Sequence, residues 1–272
     1  MSVLAVTRND VRESLRSKGP WVLTAVFLLG FIGLAYAIAE LAEPEFELYL
    51  DATSAIIALL LPLVGVILGY QTIITERESG TIALLMSLPH SRGDVVAGKL
   101  LGRVTVFSGA FLTGAFGGGL FVVVRYTSFD PARYLLFSLT ALVYGLAFVA
   151  IATALSMALS TSRRVIGAAF GLYVLSVLLW NQIVNIVVVI LFRFRPRALV
   201  DLPVWAESAK FLNPRTTFVY LVGEWLNVGG GPSELVVDSQ WFAAPAVAVI
   251  VLFGWIVVPP LIAYFPFDRV EF

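Results

Sequence analysis

Long charge-free apolar runs alternate with short polar segments along the chain. About 20 apolar residues cross the hydrocarbon core of a bilayer as a helix, and a charge at the helix centre costs about 2.5–3.5 kcal/mol. Six runs qualify as spans: Trp21 to Ala39, Ala52 to Thr75, Val104 to Val124, Leu135 to Leu159, Val165 to Phe192 and Trp241 to Tyr264. The pattern predicts an all-α integral membrane protein with six transmembrane helices.

The N-terminal segment, residues 1–19, is predicted to be an amphipathic helix. Leu4, Val11 and Leu15 recur at helical spacing with basic and polar residues between them. This spacing is typical of a helix that lies along the membrane interface before the chain enters the bilayer. The alternative is a solvated tail.

A shorter apolar stretch lies between spans five and six. Phe218 to Leu226 is interrupted by Glu224 and follows Asn213 and Pro214, so it is too short to cross the membrane. We predict short re-entrant or interfacial helices within residues 193–240.

Composition agrees with a membrane protein and excludes several other classes. Of the 272 residues, 59% are hydrophobic and 13% charged, and the mean hydropathy is +0.92. The net charge is zero and basic residues are scattered, so no nucleic-acid partner is expected. The chain has no cysteine and one histidine, His90, which excludes disulfides and the familiar zinc sites. We expect one transmembrane domain over residues 1–272, with no metal site.

Basic residues collect in alternate connecting segments and fix the predicted orientation. They lie in the N-terminal tail, in the loop after span two and in the turn after span four: Arg8, Arg12, Arg16, Lys18, Arg77, Arg92, Lys99, Arg103, Arg163 and Arg164. The charged residues of the segment from Glu40 to Asp51 are all acidic, and we interpret the segment as a solvated face because it lacks cation-loop spacing. The positive-inside rule then predicts a multi-pass plasma-membrane protein with both termini cytoplasmic and residues 193–240 outside.

The loop between spans two and three, residues 76–99, has a pattern of its own. Glu76 and Glu78 follow span two, Gly80 opens a turn, and a short helix with apolar residues ends at Pro89. An apolar side of this kind, with no partner inside the loop, usually docks onto another surface.

This loop closely resembles the coupling helix of type-2 ABC exporter permeases. The resemblance extends to the basic amphipathic start, the six spans and the short outer helices, and it is strongest for permeases associated with nitrous oxide reductase maturation and multidrug-type exporters. It implies a cytoplasmic ABC ATPase as partner and a second permease copy, as a homodimer or related heterodimer. It also implies ATPase-coupling roles for Glu76, Glu78, Gly80, Thr81, Leu84, Leu85, Met86, Pro89 and Arg92.

The chain lacks the GxxxxGK[ST] loop that cradles nucleotide phosphates, since Gly98-Lys99 has neither the upstream glycine spacing nor the following Ser/Thr. We therefore expect no enzymatic activity and no cofactor on this chain, with ATP and magnesium on the partner subunit. Shifting a two-state transporter from a 1:99 to a 99:1 ratio of its conformations requires about 5.5 kcal/mol of differential interaction energy. One exposed ion pair contributes only about 0–1 kcal/mol. The loop is therefore predicted to act as a rigid apolar plug, with Glu76 and Glu78 bracing it against the permease or pairing with the ATPase. The alternative for these charges is a solvated helix end.

Three polar residues are candidates for a translocation pathway. Asn181 and Asn185 share one helical face of span five, and polar groups in spans tend to face the protein interior or an aqueous path. Interhelical hydrogen bonds are the alternative reading. Glu224 either lines the exit of this pathway or lies on the solvent-facing side of its short helix.

Two glycine pairs, Gly65/Gly69 and Gly114/Gly118, have the small-xxx-small spacing that allows close helix packing. We assign them a structural role only.

Two rival functions remain open at this point. An ATPase-independent carrier or channel needs intramembrane ion-coupling residues, and the six predicted spans contain no charged residue. A membrane scaffold for metalloenzyme maturation would transport nothing. Lipid, drug, metal–sulfur species and peptide all fit uncharged spans as cargo.

Overall fold

The computed structural model describes residues 3–78, 92–195, 199–200, 202–226 and 244–268, and these are helical apart from short connections. The N-terminal half contains α1 Val3–Arg16, α2 Gly19–Leu41, α3 Phe46–Gly69, α4 Gln71–Glu78 and α5 Arg92–Arg125. The rest contains α6 Pro131–Ala158, α7 Ser162–Tyr173, a π-helical segment Val174–Leu179, α8 Trp180–Leu191, α9 Val204–Phe211, α10 Pro214–Leu226 and α11 Pro245–Asp268.

Six stretches are long and apolar enough to cross a membrane. They are Gly19–Leu41, Phe46–Thr75, Gly93–Arg125, Pro131–Ala158, Ser162–Leu191 and Pro245–Phe265. Each contains or overlaps one of the runs predicted from the sequence, so the all-α, six-span prediction is confirmed. Span five is one continuous passage made of α7, the π-helical segment and α8.

Successive spans run antiparallel, so their ends collect at two ends of the bundle. One end, the basic end, holds α1, α4, the start of α5 and the connection from span four to five. At this end Ile73, Val96 and Met157 form a buried cluster with Ala263 of α11. The first helix and the C-terminal part of α11 therefore lie at the same end of the bundle.

Two ion pairs mark the opposite end. An Arg125 guanidinium nitrogen lies 2.9 Å from Glu40 Oε1, and Arg133 pairs with Glu47. These acidic residues belong to the segment interpreted as a solvated face, and Glu40 and Glu47 keep about half of their side-chain surface exposed. They join α2 to α5 and α3 to α6 where the chain turns.

The two glycine pairs lie where helices come closest. A Cβ at Gly65 would lie 2.9 Å from the Gly145 carbonyl oxygen, and one at Gly69 would lie 2.6 Å from the Val149 carbonyl oxygen. α3 therefore packs directly on the backbone of α6, the most buried span. Gly114 and Gly118 receive Phe27 and Phe31 of α2 in the same way, so the predicted packing role is confirmed.

Helices α9 and α10 form a re-entrant hairpin between spans five and six. The Leu226 carbonyl accepts a hydrogen bond from Arg133, so α10 ends at the opposite end. Phe218 stacks on Tyr144 with ring centroids 4.5 Å apart, and Tyr144 lies about 20 Å along α6 from its start at 1.5 Å per residue. The hairpin tip at Asn213 therefore lies near the middle of the bundle, which corresponds to the re-entrant one of the two predicted placements.

Candidate functional site

The predicted coupling residues fall partly outside the described residues. Gly80, Thr81, Leu84, Leu85, Met86 and Pro89 lie in residues 79–91, which are outside them. Glu76 and Glu78 belong to α4, the direct continuation of span two, and Arg92 is the first residue of α5. The structure therefore places the two flanks of the loop.

Glu78 anchors the first flank to span five. Its carboxylate accepts hydrogen bonds from the Ser162 backbone N–H at 2.7 Å and from Ser162 Oγ at 2.5 Å. Ser162 is the first residue of α7, so Glu78 occupies an N-terminus whose backbone N–H groups favour an anion. These side-chain and backbone hydrogen bonds from Ser162 lower the pKa of Glu78 below its usual 4.5. Of the two roles predicted for its charge, bracing against the permease is the one these contacts support.

Asp10 anchors the second flank to α1. Its Oδ1 lies 3.7 Å from Lys99 Nζ and 3.9 Å from an Arg103 guanidinium nitrogen, and the Asp10 side chain is only 8% exposed. Gly98 and Gly102 make the approach possible, because a Cβ at either would lie within 2.6 Å of Val6 or Asp10. The first turns of α5, which emerge from the loop, are thereby held against α1.

The face that α1 uses for this contact is not its apolar one. Asp10 and Ser14 are buried against the bundle, whereas Leu4 and Leu15 are 74% and 49% exposed. The exposed leucines remain available to a membrane interface, as the helical spacing predicts. The periodicity gives no sign of the polar contact with α5.

The hairpin tip is fixed to the π-helical segment of span five by Asn213. The Asn213 Oδ1 accepts from the N–H groups of Arg215 and Thr216 and caps α10, with Pro214 at the first helical position. The Asn213 Nδ2 donates to the Ser176 carbonyl at 2.9 Å. One side chain thus caps the start of α10 and donates to a carbonyl of the π-helical segment. Short π-helical segments of this kind recur at functional sites.

Tyrosine hydroxyls satisfy the backbone of span two at the same depth. Pro62 has no N–H and leaves the carbonyl four residues earlier, Ala58, without its helical donor. The Tyr144 hydroxyl donates to that carbonyl at 2.9 Å, and the Tyr173 hydroxyl donates to the next one, Leu59, at 3.2 Å. Spans two, four and five are therefore joined at mid-bundle by backbone irregularities and the donors that match them.

The three predicted pathway residues have different environments. Asn181 is 9% exposed and its Oδ1 accepts a hydrogen bond from Thr216 of the hairpin at 3.3 Å, which is the interhelical contact weighed as the alternative. Asn185 lies one turn further along α8 and is half-buried. Glu224 is exposed on α10, which corresponds to the solvent-facing alternative.

The hairpin also carries charged residues that the sequence reasoning passed over. Glu207 and Lys210 on α9 and Arg215 on α10 lie inside the bundle's length, although the spans themselves are uncharged there. Lys210 is 4% exposed, and Arg215 Nε is buried with no hydrogen-bond partner in the described structure. The signal available was Asn213-Pro214, a helix N-cap followed by proline, directly before a charged residue in an apolar context. The six predicted spans contain no charged residue, whereas this hairpin carries these three.

Six spans, a hairpin that re-enters the bundle and a polar loop anchored on both flanks define a multi-span transport subunit. The chain belongs to the ABC-2 family of transporter proteins, whose family model matches residues 4–272. It is thus an ABC transporter permease, a class that works in the membrane with an ATPase subunit, and the family resemblance noted in the sequence is confirmed.

Named relatives agree with this assignment. Over 188 residues the chain is 28% identical to the probable ABC transporter permease protein NosY of Pseudomonas aeruginosa, an alignment that covers 66% of this chain and 68% of the relative. It is 25% identical over 276 residues to the probable ABC transporter permease protein NosY of Stutzerimonas stutzeri, with 97% of both chains covered.

Proposed function

We propose that this permease is the membrane subunit of an ATP-driven exporter in the plasma membrane, and that the loop between α4 and α5 docks a separate cytoplasmic ATPase. The positive-inside rule supports a cytoplasmic basic end, and with it both termini. ATP and magnesium bind the partner subunit in this proposal, because this chain has no phosphate-cradling loop.

The anchoring of both flanks of the loop carries the proposal. Glu78 before the loop is bonded to Ser162 at the start of span five, and Lys99 and Arg103 after it lie against Asp10 of α1. Because both flanks of the loop are bonded to other helices, a displacement of the loop would also displace those helices. Spans two, three and five and α1 would therefore all receive the motion of a docked ATPase.

Export in this scheme uses two permease copies. Closure of the ATPase dimer on ATP pushes both loops, and the spans rearrange so that the cavity between the copies opens away from the basic end. Span five is the natural carrier of this motion, because it starts at Ser162 and contains the π-helical segment to which the hairpin tip is bonded. In this scheme Asn181 positions the hairpin through Thr216, and Glu224 faces the exit of the translocation pathway. Asn185 lies one turn from Asn181.

Co-purification of the ATPase tests the docking role of the loop. We expect Leu85→Asp to lower the recovered ATPase by at least about tenfold, because a carboxylate placed in an apolar contact costs more than the roughly 1.4 kcal/mol that equals a tenfold change. Leu41→Asp is the matched control, since Leu41 is 86% exposed at the opposite end. Normal recovery of the ATPase with Leu85→Asp, in a chain that still folds, would refute docking through this surface.

A further inference from the structure

Among the described residues, Arg215 has no counter-ion, and it lies near the middle of the bundle. Its Nε is buried without a hydrogen-bond partner, and no described carboxylate lies within ion-pair distance of its guanidinium. The side chain as a whole is half-buried, so part of it reaches the surface of this chain. It lies close enough to the Tyr144 hydroxyl to interact with it electrostatically.

Arg215 lies far from both ends of the bundle. α10 runs from the hairpin tip to Leu226 at the opposite end, about 18 Å at 1.5 Å per residue. Ser176, which bonds the neighbouring Asn213, lies about 21 Å along span five from the basic end. Both distances are well beyond the reach of one arginine side chain, so this residue cannot be accounted for as a snorkelling one.

Nothing on the hairpin neutralises this charge. Glu207 makes no ion pair with it, and its own Oε2 is buried without a hydrogen bond. The N-terminus of α10 carries the positive end of the helix dipole, which opposes rather than offsets an arginine in the first turn. The neighbouring tyrosine hydroxyls of Tyr144 and Tyr173 already donate to backbone carbonyls.

We propose that Arg215 binds an anionic group at mid-bundle, and that the cargo of this exporter is an anion or carries an anionic head group. Ionisable residues inside membranes typically mark substrate paths, and a guanidinium binds oxyanions through paired, charge-assisted hydrogen bonds. The inference rests on the proposed export function, because only a transporter brings cargo to this depth. The shared chemistry is the oxyanion, which either a lipid head group or a small soluble anion supplies.

Thermal unfolding of the full-length permease in lipid nanodiscs tests the site. In one arm, phosphatidylglycerol is added to phosphatidylcholine discs; in the other, phosphatidylcholine discs receive inorganic phosphate, with sodium chloride at equal ionic strength as reference. A bound anion raises the unfolding midpoint by mass action. We expect the wild-type midpoint to rise in at least one arm, and the arm that responds identifies the source of the anion.

Variants connect the response to Arg215. Arg215→Gln is expected to weaken the apparent anion affinity by about tenfold or more, as loss of a charge-assisted hydrogen bond predicts, while Arg215→Lys retains part of it. Arg195→Gln, which removes an exposed cation after span five, should leave the response unchanged. A wild type that responds in neither arm, or an Arg215→Gln chain that responds fully, would overturn the proposal. No ATPase is present, so failure here is separable from failure of loop docking.

Discussion

The basic end and the middle of the bundle hold their irregular segments by different means. At the basic end, charged side chains do so: the exposed Glu78 accepts a hydrogen bond from Ser162, and the buried Asp10 faces Lys99 and Arg103. In the middle, neutral donors bind carbonyls that helix irregularities leave free: Tyr144 bonds Ala58, and Asn213 bonds Ser176.

This difference has a mechanical consequence. Exposed charge contacts exchange readily with water and contribute little each, so contacts such as that of Glu78 can break and reform as an attached loop moves. A buried carbonyl that loses its donor costs about 1–3 kcal/mol, since no water replaces it in an apolar interior. The Glu78 contact at the basic end is therefore suited to break and reform during motion, and the middle is suited to keep spans two, four and five and the hairpin together.

The largest effect is expected at Asn213. Asn213→Ala removes a helix cap worth about 1 kcal/mol and the donor to Ser176, so we expect a loss of about 2–3 kcal/mol in the free energy of unfolding. Denaturant unfolding in detergent micelles measures it. Asn185→Ala, at a half-buried position of span five, is the control and should change stability by less than about 0.5 kcal/mol. Equal effects at the two positions would contradict the role given to the hairpin tip.

A smaller effect is expected at Asp10. Asp10→Asn leaves Lys99 and Arg103 facing a neutral side chain in a largely buried site. Because the contacts are long, we expect a loss of about 2 kcal/mol, below the range for closely paired buried ions. The same unfolding measurement applies, and Glu13→Gln on the exposed side of α1 is the matched control. The anchor would be refuted if both variants matched the wild type.

The smallest effect is expected at Glu78, and it depends on pH. Its pKa is lowered in the folded chain, so the stabilisation is present above the usual value of 4.5 and is lost as the pH falls through the lowered pKa. The stability difference between wild type and Glu78→Gln should therefore be constant near neutral pH and disappear in acid. Unfolding midpoints measured from pH 7 down to below 4 check this. A difference that does not change with pH would mean that the carboxylate charge makes no contribution.

The sequence predicted the elements better than their contacts. Charge-free runs identify six spans because the bilayer imposes one length on all of them. The glycine spacing indicated close helix packing at α3 and α5 but not which helices they approach. Pro62 alone indicates that the Ala58 carbonyl needs a donor, but it gives no indication that Tyr144, from another span, supplies it. Likewise, the helical spacing of α1 identifies its apolar face and not the contact of Asp10 with α5.

The central claim is that motion enters at the loop and reaches the far end of span five. Because the chain has no cysteine, Leu191→Cys provides one spin-label site there, at a side chain that is 62% exposed. In the reconstituted complex of two permeases with the ATPase, the distance between the two labels is measured by pulsed electron resonance, without nucleotide and with ATP trapped. The account predicts that ATP shifts this distance and that adding Leu85→Asp abolishes the shift. An unchanged distance with ATP, or the same shift in the Leu85→Asp chain, would contradict it.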